Sequence, residues 1–159
     1  MDKLQVIGQT EVLDFPELGV SSVPARIDTG AQTSALFVSK ITLEEGKLVV
    51  VLFDKNSPHY SGKSVVFDNF KTTVVYSSNG QNEERYKVRT LVLLKGRKIR
   101  ASFTLADRSK QVYPVLIGRN VLSGKFVVDV KVGRLRASQE KENAKARRRN
   151  NKQSKEEGR

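Results

Sequence analysis

Cysteine is absent from this 159-residue chain and histidine occurs once. Without cysteine there can be no disulfide, no thiol nucleophile and no thiolate metal site. The single histidine, His59, leaves only carboxylates as further zinc ligands, a poor set for a metal that draws on several Cys and His. His59 also falls in the loop-like run Asn56-Ser57-Pro58-His59-Tyr60-Ser61-Gly62 and reads as a solvated loop residue. There is no His-Glu-x-x-His segment, no Ser-His-Asp or Cys-His constellation, and no Gly-x-x-x-x-Gly-Lys-Ser/Thr loop to cradle phosphates. Neither a metal nor a cofactor is therefore expected. Long apolar runs are missing too, which excludes a membrane-spanning helix. The opening Met1-Asp2-Lys3-Leu4-Gln5 does not lead into a signal-peptide apolar core. A cytoplasmic address and no membrane partner are expected.

Basic charge is abundant: the formal net charge is +12. Residues 136–159 hold nine Lys/Arg against four Asp/Glu, a net of +5, and the remaining +7 is spread over the body. The composition divides the chain at the same place. Residues 1–135 have the length and apolar content for one domain with its own core. In residues 137–159 only Ala137, Ala144 and Ala146 are even mildly apolar, so this basic tail cannot bury enough surface to offset the entropy of ordering and is expected to be disordered.

The body reads as all-β. Short runs rich in Val, Ile, Thr and aromatics recur, separated by turn signals. Residues 4–15 alternate loosely, as an edge strand or hairpin. The runs 36–42 and 47–53 are joined across Glu44-Glu45-Gly46, and 86–94 and 98–105 across Lys95-Gly96-Arg97. Residues 54–63 read as loop, and 64–70 and 71–76 as further strand. Asn79-Gly80 is the strongest turn signal, set between extended arms over 74–88. Residues 112–117 lead through Gly118 into a short helix over 119–122, and a last strand is expected over 126–132.

Two stretches carry chemistry. In Val23-Pro24-Ala25-Arg26-Ile27-Asp28-Thr29-Gly30-Ala31, alternation describes a strand that delivers Asp28 at its end, where Gly30 breaks it. Taken alone, Asp-Thr-Gly equally fits an ordinary turn. The second stretch, Leu116-Ile117-Gly118-Arg119-Asn120-Val121-Leu122, is an apolar strand, a glycine break and a helix start. Together with Leu18-Gly19, Thr33-Ser34-Ala35-Leu36 and Glu84-Arg85-Tyr86-Lys87-Val88-Arg89-Thr90, the pair resembles the retropepsin-like aspartic proteases. More closely, the run 12–135 resembles the bacterial family long labelled an ATP-dependent zinc protease; neither the zinc nor the ATP of that label finds support in the residues.

The resemblance implies a retropepsin-like closed barrel with one short helix after Gly118. It implies an aspartic peptidase acting on polypeptides, with Asp28 as catalytic acid/base. Because Asp-Thr-Gly occurs once, the second carboxylate would come from a homodimer with two-fold symmetry. Thr29 would brace the pair and Gly30 would let substrate backbone approach. Ala31 would contact substrate, as would Asn79 and Gly80 if the hairpin over 74–88 acts as a flap rather than as a plain solvent hairpin. Ile117, Gly118 and Arg119 would support the turn from behind. Two departures stand out. Retropepsins often carry an acid where this chain has Gln32, and that acid pairs with the arginine matched here by Arg119; without it Arg119 must bond differently. The bacterial family commonly has His where this chain has Phe37, which reads as a core or groove side chain.

The basic tail 137–159 fits either a solvated segment or a contact for an acidic, ribosomal or RNA partner. A substrate rich in glutamate would suit it, since the resembling family's genes often lie near enzymes that attach glutamates to ribosomal protein tails. The reading from another class is a non-catalytic β-barrel module that binds such a partner through its groove and tail.

Overall fold

A computed structural model describes residues 3–76, 80–107 and 113–133. Asn79 and the whole basic segment 136–159 lie outside the described residues, and so does the boundary placed at 135. In chain order the elements are β1 (Gln5–Ile7), β2 (Thr10–Phe15), β3 (Val20–Ile27), β4 (Ser34–Glu44), β5 (Lys47–Leu52), β6 (Ser64–Phe67), β7 (Lys71–Tyr76), β8 (Asn82–Leu94), β9 (Arg97–Ala106), β10 (Val115–Ile117), α1 (Arg119–Leu122) and β11 (Phe126–Val128). Among the described residues the fold is therefore mostly β with one short α-helix, and that helix begins directly after Gly118 as the sequence predicts.

The strands form a partly ring-like sheet. Following hydrogen-bonded neighbours gives β10-β3-β2-β8-β9-β4, and β10 then also pairs with β4, so these strands return on themselves. β5 and β6 extend outward from β4, while β7 pairs with β8. Alternation decides what the ring encloses. In β3, Val23, Ala25 and Ile27 turn inward and Arg26 turns out. In β8, Val88, Val92 and Leu94 are buried, and in β9 Ile99, Ala101 and Phe103 meet them. Phe15 and Phe103 are wholly buried and touch edge to face, 5.4 Å between ring centroids.

Two long hairpins match the sequence reading. β4 and β5 reverse through Glu45-Gly46, and β8 and β9 through Lys95-Gly96. All four turn residues have positive φ, the backbone twist that suits a two-residue reversal. The arms of the hairpin expected near Asn79-Gly80 are also present: Lys71–Tyr76 pairs antiparallel with β8, with Tyr76 opposite Asn82.

Other details depart from expectation. Residues 4–15 form two strands with different partners, because β1 leaves the main sheet to run parallel with β11. The last strand stops at Val128 rather than 132: the Asp129 N–H donates to Ile7 O, and its side chain then accepts from Lys131 N, which curls the chain into a turn. His59 is half-buried rather than fully solvated, its ring set edge-on to Phe53 at 6.4 Å. Phe37 is buried with Ala35 and Ala106 in a small cluster apart from the main core.

Candidate active site

The Asp28 turn is held from both sides by backbone. β3 runs parallel to β10, with Ile27 opposite Ile117. One residue on, the Asp28 N–H donates to Ile117 O at 2.8 Å. The turn closes on itself when Ala31 N donates to Asp28 O at 3.2 Å and Gly30 N donates to Asp28 Oδ1 at 3.0 Å. The carboxylate is thus oriented by a backbone donor of its own loop. Asp28 is half-buried, while Thr29 and Gly30 are exposed.

Arg119, the first residue of α1, grips the same turn. Its Nη1 donates to Thr29 O at 3.1 Å and to Gly30 O at 2.9 Å, and its backbone N–H donates to Ala31 O at 2.8 Å. This is how Arg119 bonds in the absence of an acid at Gln32. Gly118 has no room to be anything larger: a Cβ there would lie 2.4 Å from Thr33 O and 2.8 Å from Ala31 O, closer than real atoms approach.

Two residues outside the predicted set complete this assembly. Ser34 is wholly buried at the start of β4. Its hydroxyl donates to Asn120 Oδ1 at 2.7 Å and accepts from Gly118 N at 2.9 Å. Asn120 Nδ2 in turn donates to Ser102 O at 2.8 Å, which ties α1 to β9. The signal for them lay in the motifs themselves, a serine at a buried position of Thr33-Ser34-Ala35-Leu36 and an asparagine directly after Gly118-Arg119. A buried hydroxyl requires partners, and Asn120, itself exposed, supplies one of them to Ser34.

The predicted residues therefore fall into two groups. Asp28, Thr29, Gly30, Ala31, Ile117, Gly118 and Arg119 come together as one cradle. Gly80 sits in the β7–β8 reversal with φ near 80° and open space where a Cβ would stand. Among the described residues, the hydrogen bonds of the Asp28 turn run to β10 and α1 and not to Gly80. No group of three His, Asp or Glu side chains able to hold a metal gathers among the described residues, and no helix among them is long and apolar enough to cross a membrane.

Several known proteins resemble this chain. A protein named a probable alpha-L-glutamate ligase from Shewanella pealeana is 33% identical over 133 residues, covering 80% of this chain and 29% of that protein. One of the same name from Desulfotalea psychrophila is 27% identical over 129 residues, covering 79% of this chain and 28% of its own. The chain thus spans under a third of the length of these curated relatives. A crystal structure of Lpg0085 from Legionella pneumophila, a protein of unknown function, shares the fold with a TM-score of 0.63 at 20% identity, covering 82% of this chain and 96% of that one. A family model described as the retropepsin-like aspartic endopeptidase RimB matches residues 6–139. The chain belongs to this RimB-like family.

Proposed function

We propose that the chain is an aspartic peptidase in which two copies bring their Asp28 carboxylates together around one water. Two carboxylates brought that close repel when both are charged, so the pair is proposed to share one proton. One takes a proton from the water as its oxygen bonds to the scissile carbon, while the other protonates the carbonyl oxygen. The diol so formed then returns a hydroxyl proton to one carboxylate as the other protonates the amide nitrogen and the C–N bond breaks, with no covalent enzyme intermediate. The observation that carries this reading is the Asp28 turn. Its backbone is fixed at Ile117 and Arg119, Oδ1 accepts from Gly30 N, and Oδ2 meets no donor among the described residues.

Pairing of copies is supported by an apolar strip beside the turn. Val6 and Val127 lie opposite each other on β1 and β11, and both are exposed, as are Val130 and Val132. One continuous path of backbone bonds links strip to turn: Gln9 N donates to Val132 O at 2.7 Å and accepts at its own carbonyl from Ile27 N at 2.8 Å. A copy covering the strip would sit next to Asp28.

The substrate we infer is an acidic or glutamate-modified polypeptide. The chain's net charge of +12 favours an acidic partner. The curated relatives, which carry this region within longer proteins named glutamate ligases, point the same way. That last observation also favours a second reading, a non-catalytic module that holds a glutamate-rich chain.

The deciding experiment is cleavage of peptide mixtures, including polyglutamate-tailed ones, followed by mass spectrometry from acidic to neutral pH with chelator present. Cutting by wild type that falls ~10²–10⁴-fold in Asp28→Asn is the expected result. Equal cutting by both proteins would rule out the Asp28 mechanism. Binding of the tailed peptides without cleavage by either would favour the holding module.

A further inference from the structure

We propose that Arg119 is a specificity residue whose guanidinium receives a substrate carboxylate beside the catalytic turn. The inference rests on the peptidase reading of that turn. An arginine side chain presents five N–H donors in a rigid planar fork. Here both hydrogens of Nη1 are committed, to Thr29 O at 3.1 Å and Gly30 O at 2.9 Å. Those bonds fix the plane of the group. The edge left over is the one made by Nε and Nη2, which takes a carboxylate side-on through two parallel bonds.

Nothing acidic among the described residues occupies that edge. Among the described residues no Asp or Glu oxygen lies within ion-pair distance of Arg119, whereas Lys47, Arg85, Lys95 and Arg100 each have such a partner. Arg119 is exposed, so its positive charge is open to an incoming chain. The position that could have neutralised it holds the uncharged Gln32, whose carbonyl accepts from Asn120 N at 3.2 Å. A fixed, unneutralised guanidinium abutting the carbonyls of Thr29 and Gly30 is preorganised for an anionic side chain, because little side-chain entropy remains to be lost on binding. The class of ligand is therefore a carboxylate-bearing polypeptide, with glutamate or aspartate a few residues from the bond that lies over Asp28.

The test uses the full chain carrying Asp28→Asn, so that bound peptide stays intact, and two probes, tetraglutamate and tetraglutamine. Binding is followed by NMR through the Arg119 Nε–Hε signal, assigned by its disappearance in Arg119→Lys. Tetraglutamate should shift that signal and tetraglutamine should not. Adding Gln32→Asp puts an acid at the position from which retropepsins pair with this arginine and should weaken tetraglutamate binding roughly 3–10-fold, between the effects of an exposed ion pair and a charge-assisted hydrogen bond. Thr72→Asp, on exposed β7, adds the same charge elsewhere and should change affinity less than about 2-fold. An unmoved Arg119 signal, or affinity indifferent to Gln32→Asp, would overturn the proposal and assign any binding to the remaining basic residues. Because no step depends on turnover, a wild type that binds as expected but fails to cleave would count against the peptidase reading alone.

Discussion

The Ser34 hydroxyl donates to Asn120 Oδ1 at 2.7 Å while accepting from Gly118 N at 2.9 Å. One buried oxygen thus joins β4, β10 and α1 immediately behind the Asp28 turn. Ser34→Ala would strand the buried Gly118 N–H and remove one partner of Asn120. Leaving a buried donor unsatisfied costs about 1–3 kcal/mol, and urea denaturation should show a loss of that size. Asn120→Ala should cost a similar amount, and the double variant should lose less than the sum, because the two side chains share one interaction. Strictly additive losses would show that the two act independently.

Glu17 and Arg100 form a two-pronged ion pair, Oε1 and Oε2 each 2.9 Å from a guanidinium nitrogen. It connects the turn before β3 to the outer face of β9. The Arg100 hydrogen bond is the largest influence on Glu17 and holds its carboxyl below the ordinary range. A depressed carboxyl pKa stabilises the folded state above the unfolded-state pKa, and that contribution fades as pH falls through the folded-state value. The pair is exposed, so its effect is small and screened by salt. Glu17→Gln should therefore lower the thermal midpoint slightly at neutral pH and low ionic strength, by less once the pH has fallen through the carboxylate's lowered range, and by less in high salt. A penalty of equal size under all these conditions would mean that Glu17 acts through packing rather than charge.

Much of this molecule can be read from local pattern, and the limits of that reading are physical. The hairpins at Glu45-Gly46 and Lys95-Gly96 and the helix Arg119–Leu122 were legible because turn chemistry and a glycine break are local signals. The meeting of Asp28 with Ile117 was implied by the resemblance of the two motifs to retropepsins and not by either motif's local pattern, which names no partner. The parallel pairing of Gln5–Ile7 with Phe126–Val128 was not legible, because nothing in a three-residue strand specifies a partner at the other end of the domain. The early stop of β11 followed from Asp129, whose side chain offers the backbone a local alternative to a sheet ladder. The grip of Arg119 on two carbonyls could only be framed as a question, since the absent acid at Gln32 says what Arg119 cannot do and not what it does. Ser34 and Asn120 escaped selection because serine and asparagine are ordinarily surface residues, and only the burial of Ser34 shows that its hydroxyl must find partners.

The apolar strip on β1 and β11 yields the last prediction. The inner side of this small sheet is already used: Ile7 and Phe126 are buried, and Arg97 lies over the Phe126 ring at 5.6 Å. Its outer side presents Val6 and Val127 opposite each other, 61% and 48% exposed, with Val130 and Val132 following at 64% and 47%. Paired exposed valines on an outer strand favour association over solvation. If two copies meet here, Val127→Glu places like charges face to face across the two-fold axis and should separate them. Sedimentation should then show wild type as a dimer and Val127→Glu as a monomer at the same concentration. The variant's own stability should change by less than about 0.5 kcal/mol in either direction once the dimer's contribution is removed, as for other surface substitutions. Peptidase activity should fall with the dimer population and recover in part at high protein concentration. A fully active monomeric variant would show that one Asp28 suffices, and an unchanged dimer would place the contact on another face.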